Sequence, residues 1–350
     1  MGFLCEAVEN AACEKDFDGF WYLPEWEGSM RVHLRALPGR FVPIKEANNM
    51  LTGIHFILTY ACTFECDHCF LYCSPWSRGT FTISQVTDVL DEARRVGTVE
   101  WIFFEGGEPL LYFPILLEGI KRAAERRFKV GVVTNAYGAG SEADARLWLE
   151  PLAKAGLSSI SISNDVYHYG EEKENPAAIA SRAAGRLGMD VSSISIEPPV
   201  VRQSSTDADD KGRPVIGGGA MFRGRAVETL TDNLPTRPWR EFRECPYEAL
   251  EAPSRVHVDS YGHVHICQGI SMGNMWEHAL SDIIAKYRPD AHPVCGPLLR
   301  GGPARLATVH GVVPRAGYVD ACHFCFLTRK AMVQRFPGYL APGQVYGAGR

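Results

Sequence analysis

The sequence lacks an apolar run long enough to cross a bilayer, which takes about eighteen residues, so we expect no membrane-spanning helix. It also lacks an excess of basic residues, and a formal net charge of −5 argues against a nucleic-acid-binding groove. The start of the chain turns acidic at Glu6 and matches neither a secretory signal nor a myristoylation site. These absences predict a cytoplasmic protein that binds neither membrane nor nucleic acid.

Cysteine, by contrast, is abundant, with eleven in 350 residues. Disulfides need an oxidising compartment, and nothing in the sequence argues for export. Closely spaced cysteines in a cytoplasmic protein are better interpreted as metal ligands. The chain length fits one large domain, or a medium domain with a smaller appendage.

Short apolar runs alternate with amphipathic segments in the first part of the chain. The predicted strands are 55–60, 99–104, 129–133, 159–163 and 191–196, and the predicted helices are 83–95, 114–127, 141–155 and 176–187. This alternation predicts an α/β fold with a parallel sheet and helices outside it. With a sixth strand expected near 220–227, the units fall short of the eight of a full barrel and predict a partial (β/α)6 TIM-like barrel.

Composition divides the chain into four expected parts. They are an N-terminal extension at 1–50, the partial barrel at 51–240, a small C-terminal α+β domain at 241–335 and an irregular tail at 336–350. Residues 203–220, rich in Ser, Asp and Gly, are interpreted as a mobile loop or a boundary. In the C-terminal part, 255–259 and 263–267 predict a hairpin, followed by a helix near 277–287.

Three cysteines, Cys62, Cys66 and Cys69, follow the first predicted strand at spacings typical of metal ligands. Three thiolates in one loop can hold three irons of a four-iron cube and leave the fourth iron open to a small molecule. A zinc site is the alternative, because His68 or Cys73 could supply a fourth ligand.

The Cys-x3-Cys-x2-Cys pattern resembles the signature of the radical S-adenosylmethionine (SAM) superfamily, apart from His68 where an aromatic residue is usual. A Gly-Gly-Glu-Pro loop, the second mark of that family, follows the second strand at Gly106–Pro109. The resemblance implies that the three cysteines ligate a 4Fe–4S cluster whose open iron chelates SAM. Two motifs at the carboxyl ends of successive strands, where barrel enzymes place their active sites, disfavour the zinc alternative.

The resemblance also implies a set of SAM-binding residues. They are Gly106, Gly107, Glu108, Pro109, Asn135, Ser163 and His68. The glycine loop would accept the SAM ammonium through backbone carbonyls and Glu108, and Ser163 is the best ribose candidate, with a strand-end cap as its alternative.

Further polar residues carry no fixed role. Asp165, Tyr167 and His168 could line the substrate space or form a solvated loop. Arg223 and Arg225 could bind a carboxylate or form surface ion pairs. No catalytic acid or base can be assigned.

A second cysteine set resembles the auxiliary-cluster module called SPASM, or Twitch in its shorter form. Its members are Cys245, Cys267, Cys322 and Cys325. Four cysteines imply one fully ligated auxiliary 4Fe–4S cluster that serves electron transfer, and a structural zinc site is the alternative. The remaining cysteines, Cys5, Cys13, Cys73 and Cys295, are interpreted as ordinary thiols.

The resemblance implies reductive cleavage of SAM, with ferredoxin or flavodoxin as electron donor, and hydrogen abstraction by the 5′-deoxyadenosyl radical. A small-molecule substrate, such as a sugar or natural-product intermediate, and a net oxidation or rearrangement are expected. Peptide modification is a second hypothesis, although 1–50 is short for a peptide-recognition domain. A non-catalytic iron–sulfur or zinc protein is the third, and the intact glycine loop speaks against it.

Overall fold

The computed structural model describes residues 51–203 and 214–348, so the predicted N-terminal extension lies outside the described residues. The strands are β1 (Gly53–Thr59), β2 (Trp101–Gly106), β3 (Lys129–Thr134), β4 (Ser159–Ser163), β5 (Asp190–Ile194), β6 (Val200–Gln203), β7 (Pro214–Gly217), β8 (Arg237–Pro238), β9 (Arg255–Asp259), β10 (His263–Cys267), β11 (Ile270–Asn274) and β12 (Gly317–Tyr318). The helices are α1 (Ile83–Val96), α2 (Phe113–Glu125), α3 (Glu142–Ala155), α4 (Val166–Tyr169), α5 (Pro176–Arg186), α6 (Ala226–Thr229), α7 (Leu280–Lys286), α8 (Cys295–His310) and α9 (Ala321–Lys330). Short 3-10 turns lie at Pro109–Tyr112, Trp239–Glu241, Pro289–Ala291 and Gly343–Tyr346.

One eight-stranded sheet, in the order β11-β10-β9-β1-β2-β3-β4-β5, forms the frame of the molecule. Strands β9 and β1 to β5 run parallel, and β10 and β11 extend the sheet antiparallel at one edge. The predicted α/β fold class with a parallel sheet is therefore confirmed. Helices connect the successive parallel strands from β1 to β5, as the alternation in the sequence predicts.

The sixth parallel strand is β9, which pairs with β1, and not the predicted segment at 220–227. That prediction is wrong because the segment packs on the cysteine loop after β1 instead of joining the sheet. The Arg225 N–H donates to the carbonyl of Cys69 over 2.9 Å. At Gly224, with φ +63°, an added Cβ would lie 2.4 Å from Cα of Phe70.

The two faces of the sheet differ in polarity. Residues alternate between the faces of a strand, and Ile54, Phe56 and Leu58 of β1 all point to the face that packs against the helices. The inner face instead carries polar residues, such as His55 on β1 and Ser161 on β4. Parallel strands covered on both faces are usually apolar throughout, so this polar face indicates a polar interior.

Local signals fix the helix ends where the sequence predicts them. Thr82 caps α1 in a reciprocal capping box with Gln85, and α1 ends at Gly97 in the left-handed conformation. Ser141 caps α3, and Asn175 caps α5. No helix among the described residues is long and apolar enough to span a membrane.

The C-terminal part builds a second core around β10, α8 and α9. Helix α8 kinks at Gly301 and Gly302. The predicted mobile loop or boundary at 203–220 contains strand β7, which pairs with β6, while 204–213 lies outside the described residues. In the predicted irregular tail, Leu340, Val345 and Tyr346 are buried, so this segment packs against the rest of the fold.

Candidate functional site

The loop after β1 carries Cys62 and Cys66, which are buried, and Cys69, which is partly so. Among the described residues, no three cysteine sulfurs lie within 4.8 Å of one another. A tetrahedral zinc site would draw its thiolates to about 3.8 Å from one another. A four-iron cube keeps them farther apart, because each thiolate binds a different iron. The sulfurs of this loop are thus not gathered as they are in a tetrahedral zinc site.

Arg225 holds this loop from within the protein. Its guanidinium donates to the carbonyls of Cys66 and Cys73, each over 2.7 Å, and the side chain is buried. Its Nη2 also lies 3.4 Å from the carboxylate of Glu65, an exposed side chain, so Arg225 forms an ion pair as one of its two expected roles, but from a buried position. Three N–H groups also donate to sulfur. The Phe64 backbone N–H and Asn135 Nδ2 lie 3.5 and 3.6 Å from Cys62 Sγ, and the Cys73 backbone N–H lies 3.3 Å from Cys69 Sγ. Such donors stabilise thiolates.

The three thiols differ in acidity. Burial raises the pKa of Cys62 to about 12 and also raises the pKa of Cys66. The hydrogen bond with the Cys73 thiol lowers the pKa of Cys69 to about 6. Cys62 and Cys66 therefore stay protonated at neutral pH until a metal displaces their protons.

The Gly106–Pro109 loop lies directly against the start of the cysteine loop. The N–H groups of Gly107 and Glu108 donate to the carbonyls of Thr59 and Ala61, both over 2.8 Å. An added Cβ at Gly107 would lie 2.1 Å from the Ala61 carbonyl oxygen, so this close approach requires glycine. The structure thus brings together the two motifs that the sequence singled out.

The Glu108 side chain ties this loop to the end of β3. Its Oε1 accepts from the Leu110 N–H at 2.9 Å and the Thr134 hydroxyl at 2.8 Å, and its Oε2 accepts from the Asn135 N–H at 2.8 Å. Burial raises the pKa of Glu108 to about 7. Because both oxygens bind protein donors, the side chain primarily fixes the shape of the loop.

Polar side chains from the end of β4 cover the cysteine loop. Asp165 caps α4 and lies 2.8 Å from Nδ1 of His168. The rings of His68 and Tyr167 are 4.8 Å apart, and burial lowers the pKa of His68 to about 4. This segment is therefore packed and not a solvated loop. Ser163 is partly exposed at the end of β4.

Four cysteines meet in the C-terminal part, as the sequence predicts. Cys245, Cys267, Cys322 and Cys325 line one cavity with about 400 Å³ of atom-free space, part of it open to solvent. Cys295 does not line this cavity. Burial raises the pKa of all four lining thiols, that of Cys267 to about 11.

Two buried arginines, Arg223 and Arg329, line the same cavity. Nη1 of Arg223 lies 3.1 Å from Glu248 and 3.2 Å from Cys267 Sγ, so Arg223 is not a surface residue. Arg329 is 1% exposed, its Nη1 donates to the Gln268 carbonyl and the Tyr346 hydroxyl, and its guanidinium is also hydrogen-bonded to the Cys325 thiol. It forms no ion pair with a carboxylate in the part of the chain that the structure describes.

Arg223 is paired with Glu248, but the burial of Arg329 without a carboxylate partner in the described part of the chain favours a negative group in the cavity. Within 51–203 and 214–348, the Nε–H groups of Arg223 and Arg329 have no acceptor. A buried cation is costly without a counter-charge, and an unpaired buried donor adds to that cost. An iron–sulfur cluster held by four thiolates is anionic, so these residues fit it. Arg329 was not predicted from the sequence, although its position four residues after Cys325 places both on one face of α9.

Residues 56–169 match the family model of the radical SAM superfamily. The chain carries a radical SAM domain. This family binds a 4Fe–4S cluster and SAM, and the matched residues include all three cysteines of the first loop and the Gly106–Pro109 loop.

Individual relatives of the chain are distant. YydG of Bacillus subtilis (strain 168), whose name proposes a role in peptide biosynthesis, is 23% identical over 107 residues, which are 31% of this chain and 34% of YydG. The match thus spans about a third of the length of YydG.

Three solved structures resemble the chain. BtrN in complex with AdoMet and 2-DOIA gives a TM-score of 0.46 at 18% identity, covering 68% of this chain and 83% of BtrN. Streptococcus suis SuiB bound to S-adenosylmethionine gives a TM-score of 0.35 at 12% sequence identity, and the match covers 70% of this chain and 67% of SuiB. Native anSMEcpe with bound AdoMet gives a TM-score of 0.38 at 12% sequence identity, and the match covers 81% of this chain and 96% of anSMEcpe.

Proposed function

We propose that this chain is a radical SAM enzyme with two 4Fe–4S clusters that oxidises or rearranges a small polar molecule. Cys62, Cys66 and Cys69 would hold the SAM-binding cluster. The auxiliary cluster would occupy the cavity lined by Cys245, Cys267, Cys322 and Cys325. The observation that carries the proposal is this cavity, where four thiols surround a space beside Arg329, a buried cation with no carboxylate partner among the described residues.

The residues around the first cluster would position SAM. When bound, the cluster supplies the electron that cleaves SAM to methionine and a 5′-deoxyadenosyl radical. The backbone carbonyls of Gly106 and Gly107 would accept the SAM ammonium, and Glu108 keeps that loop in place. Asn135, His68 and Ser163 would contact the rest of SAM at the same edge of the sheet. His68 is neutral, so it would act there as a hydrogen-bonding group and not as a cation.

The residues around the second cavity suit an electron acceptor. Although burial opposes it, the nearby Cys267 sulfur and the Glu248 carboxylate raise the pKa of Arg223, so this guanidinium remains charged. Arg223 and Arg329 would stabilise an added negative charge in the cavity. An acceptor of this kind supports a net oxidation of the substrate.

The polar inner face of the sheet supports a small polar substrate such as a sugar or natural-product intermediate. Ser161 and Ser192 are joined by a 2.7 Å hydrogen bond on neighbouring strands, and Glu105 lies between two histidines. Hydroxyl, imidazole and carboxylate groups recognise hydroxyl and amino groups through hydrogen bonds.

The second candidate function is modification of a peptide, which the match to YydG supports. Either substrate would use the same SAM chemistry, with ferredoxin or flavodoxin as the electron donor. Binding of short peptides, compared with binding of aminated and hydroxylated sugars, would distinguish the two. A precursor peptide that is bound and changed in mass by the enzyme would favour the second.

The test is anaerobic reconstitution followed by reaction with SAM and dithionite. We expect about eight irons per chain in the wild type, and about four in both Cys66→Ala and Cys267→Ala. The wild type and Cys267→Ala should form 5′-deoxyadenosine, whereas Cys66→Ala should not. Bound zinc without SAM cleavage would mean that the protein is a non-catalytic metal-binding protein.

A further inference from the structure

Three polar side chains converge on the inner face of the sheet, outside both cysteine sites. His55 lies on β1, Glu105 on β2 and His257 on β9. His55 and His257 are register partners, so their side chains leave neighbouring strands on the same face. Nδ1 of His55 lies 3.1 Å from Glu105 Oε2, and Nε2 of His257 lies 3.1 Å from Glu105 Oε1.

Aromatic packing fixes the orientation of this group. The ring of Phe103 stacks on His55 with centroids 4.8 Å apart, and Trp101 stacks on Phe103 at 5.6 Å. Phe103 has room because its neighbour on β3 is Gly131, where an added Cβ would lie 2.2 Å from the ring. A ligand set held in one orientation before the ligand arrives loses less entropy on binding.

The charges in the group also suit a cation. Although burial opposes ionisation, His55 and His257 hold the pKa of Glu105 well below its usual range. Burial lowers the pKa of His257, which favours the neutral imidazole. An ionised carboxylate and a neutral imidazole are the forms that bind metals.

We propose that His55, Glu105 and His257 bind a divalent first-row metal ion such as Mn²⁺, Fe²⁺ or Zn²⁺. The three ligand atoms lie within 4.8 Å of one another. Adjacent ligand atoms in octahedral coordination at about 2.1 Å from a metal are about 3.0 Å apart. The two observed N···O distances of 3.1 Å are close to this value, and each runs to a different oxygen of Glu105, so the carboxylate would bind the metal through both oxygens. Two histidines and one carboxylate leave coordination positions open on one side.

The open positions define what the metal would do. The three side chains are between 11% and 18% exposed, so they border space inside the sheet and are not sealed in the core. Glu105 directly precedes the Gly106–Pro109 loop, which places the metal beneath that loop. The ion would chelate neighbouring oxygen or nitrogen atoms of a polar substrate, such as a diol, an amino alcohol or a carboxylate.

The test measures Mn²⁺ binding to the anaerobically reconstituted holoprotein in the absence of SAM. Binding is monitored as the loss of the EPR signal of free Mn²⁺. Mn²⁺ is the probe because it prefers oxygen and nitrogen ligands and disfavours thiolates. We expect one Mn²⁺ per chain in the wild type, and at least tenfold weaker binding in both Glu105→Gln and His257→Gln. His278→Gln, on an exposed histidine, is the matched control and should bind like the wild type.

His168→Gln tests the other candidate ligand group, in which His68, Asp165 and His168 have ligand atoms within 4.8 Å of one another. Binding that is lost in His168→Gln but kept in Glu105→Gln would overturn the proposal, as would absence of binding in the wild type at millimolar Mn²⁺. Iron content and circular dichroism equal to the wild type would show that Glu105→Gln is folded. The amount of Zn²⁺ bound per chain after dialysis is a second measurement of this site. Glu105→Gln should bind less Zn²⁺ than the wild type, as it should bind less Mn²⁺.

Discussion

Replacing Arg329 should make the proposed auxiliary cluster harder to reduce. The side chain is 1% exposed, lies beside the Cys325 thiol and has no carboxylate partner among the described residues, so its charge acts on the cavity almost unscreened. Removing a positive charge near the cluster destabilises the reduced state, which carries one more electron. The reduction potential of Arg329→Met should therefore shift to a more negative value.

The size of the shift follows from Coulomb's law. With the added electron spread over the cluster at about 6 Å from the guanidinium and an effective dielectric of about 20, the interaction is about 3 kcal/mol. For a one-electron couple this corresponds to about 130 mV. Arg223 should contribute less, because Glu248 lies 3.1 Å away and already compensates its charge.

The assay is a redox titration followed by EPR of the reduced cluster in Cys66→Ala, which leaves the auxiliary cluster alone in the protein. Arg329→Lys keeps the charge and should shift the potential by less than half as much as Arg329→Met. Lys330→Met removes a charge from the next residue, whose side chain is 40% exposed, and should have a small effect because solvent screens it. An unchanged potential in a fully loaded Arg329→Met protein, or equal shifts for Met and Lys, would refute the reasoning.

Three further predictions follow from the cysteine sites. Gly107→Ala should weaken SAM binding at least tenfold, because the added Cβ would collide with the Ala61 carbonyl. The iron content should be retained, and equilibrium dialysis would measure the affinity for SAM. Normal affinity would contradict this prediction. Iron binding by the apoprotein should become tighter from about pH 6 to pH 8. The reason is that iron must displace protons from Cys62 and Cys267, whose pKa values are about 12 and 11. Iron binding that does not depend on pH would be the contrary result. Arg225→Met should lower iron bound at the first site by about half or more, as iron analysis in a Cys267→Ala background would show, and should leave the second site loaded, as the same analysis in a Cys66→Ala background would show.

The sequence predicts those parts of the fold that depend on neighbouring residues. Thr82 and Gln85 form a capping box within one turn, and the spacing of the first three cysteines lies within a single loop. The predicted strands and helices from β1 to β5 are therefore found close to their expected positions.

Features that depend on distant partners could not be predicted in the same way. The pairing of β9 with β1 joins residues about two hundred positions apart, and no local pattern specifies which strand edge β9 will occupy. The burial of Arg329 depends on Gln268 and Tyr346, which approach it from other parts of the chain. His55, Glu105 and His257 likewise become neighbours only when three strands align.

The same long-range pairing places the two cysteine sites on one continuous sheet. Tyr60, two residues before Cys62, donates to Asp259 Oδ2 over 2.9 Å, and His265, two residues before Cys267, lies 3.1 Å from the same oxygen. Tyr60, Asp259 and His265 are completely buried. A buried carboxylate between two partners is costly to leave half-paired, so the arrangement resists relative movement of the strands that precede the two loops. The separation between the proposed clusters is therefore set by strand pairing and this hydrogen-bonded group, and electron transfer between them would not require a domain movement.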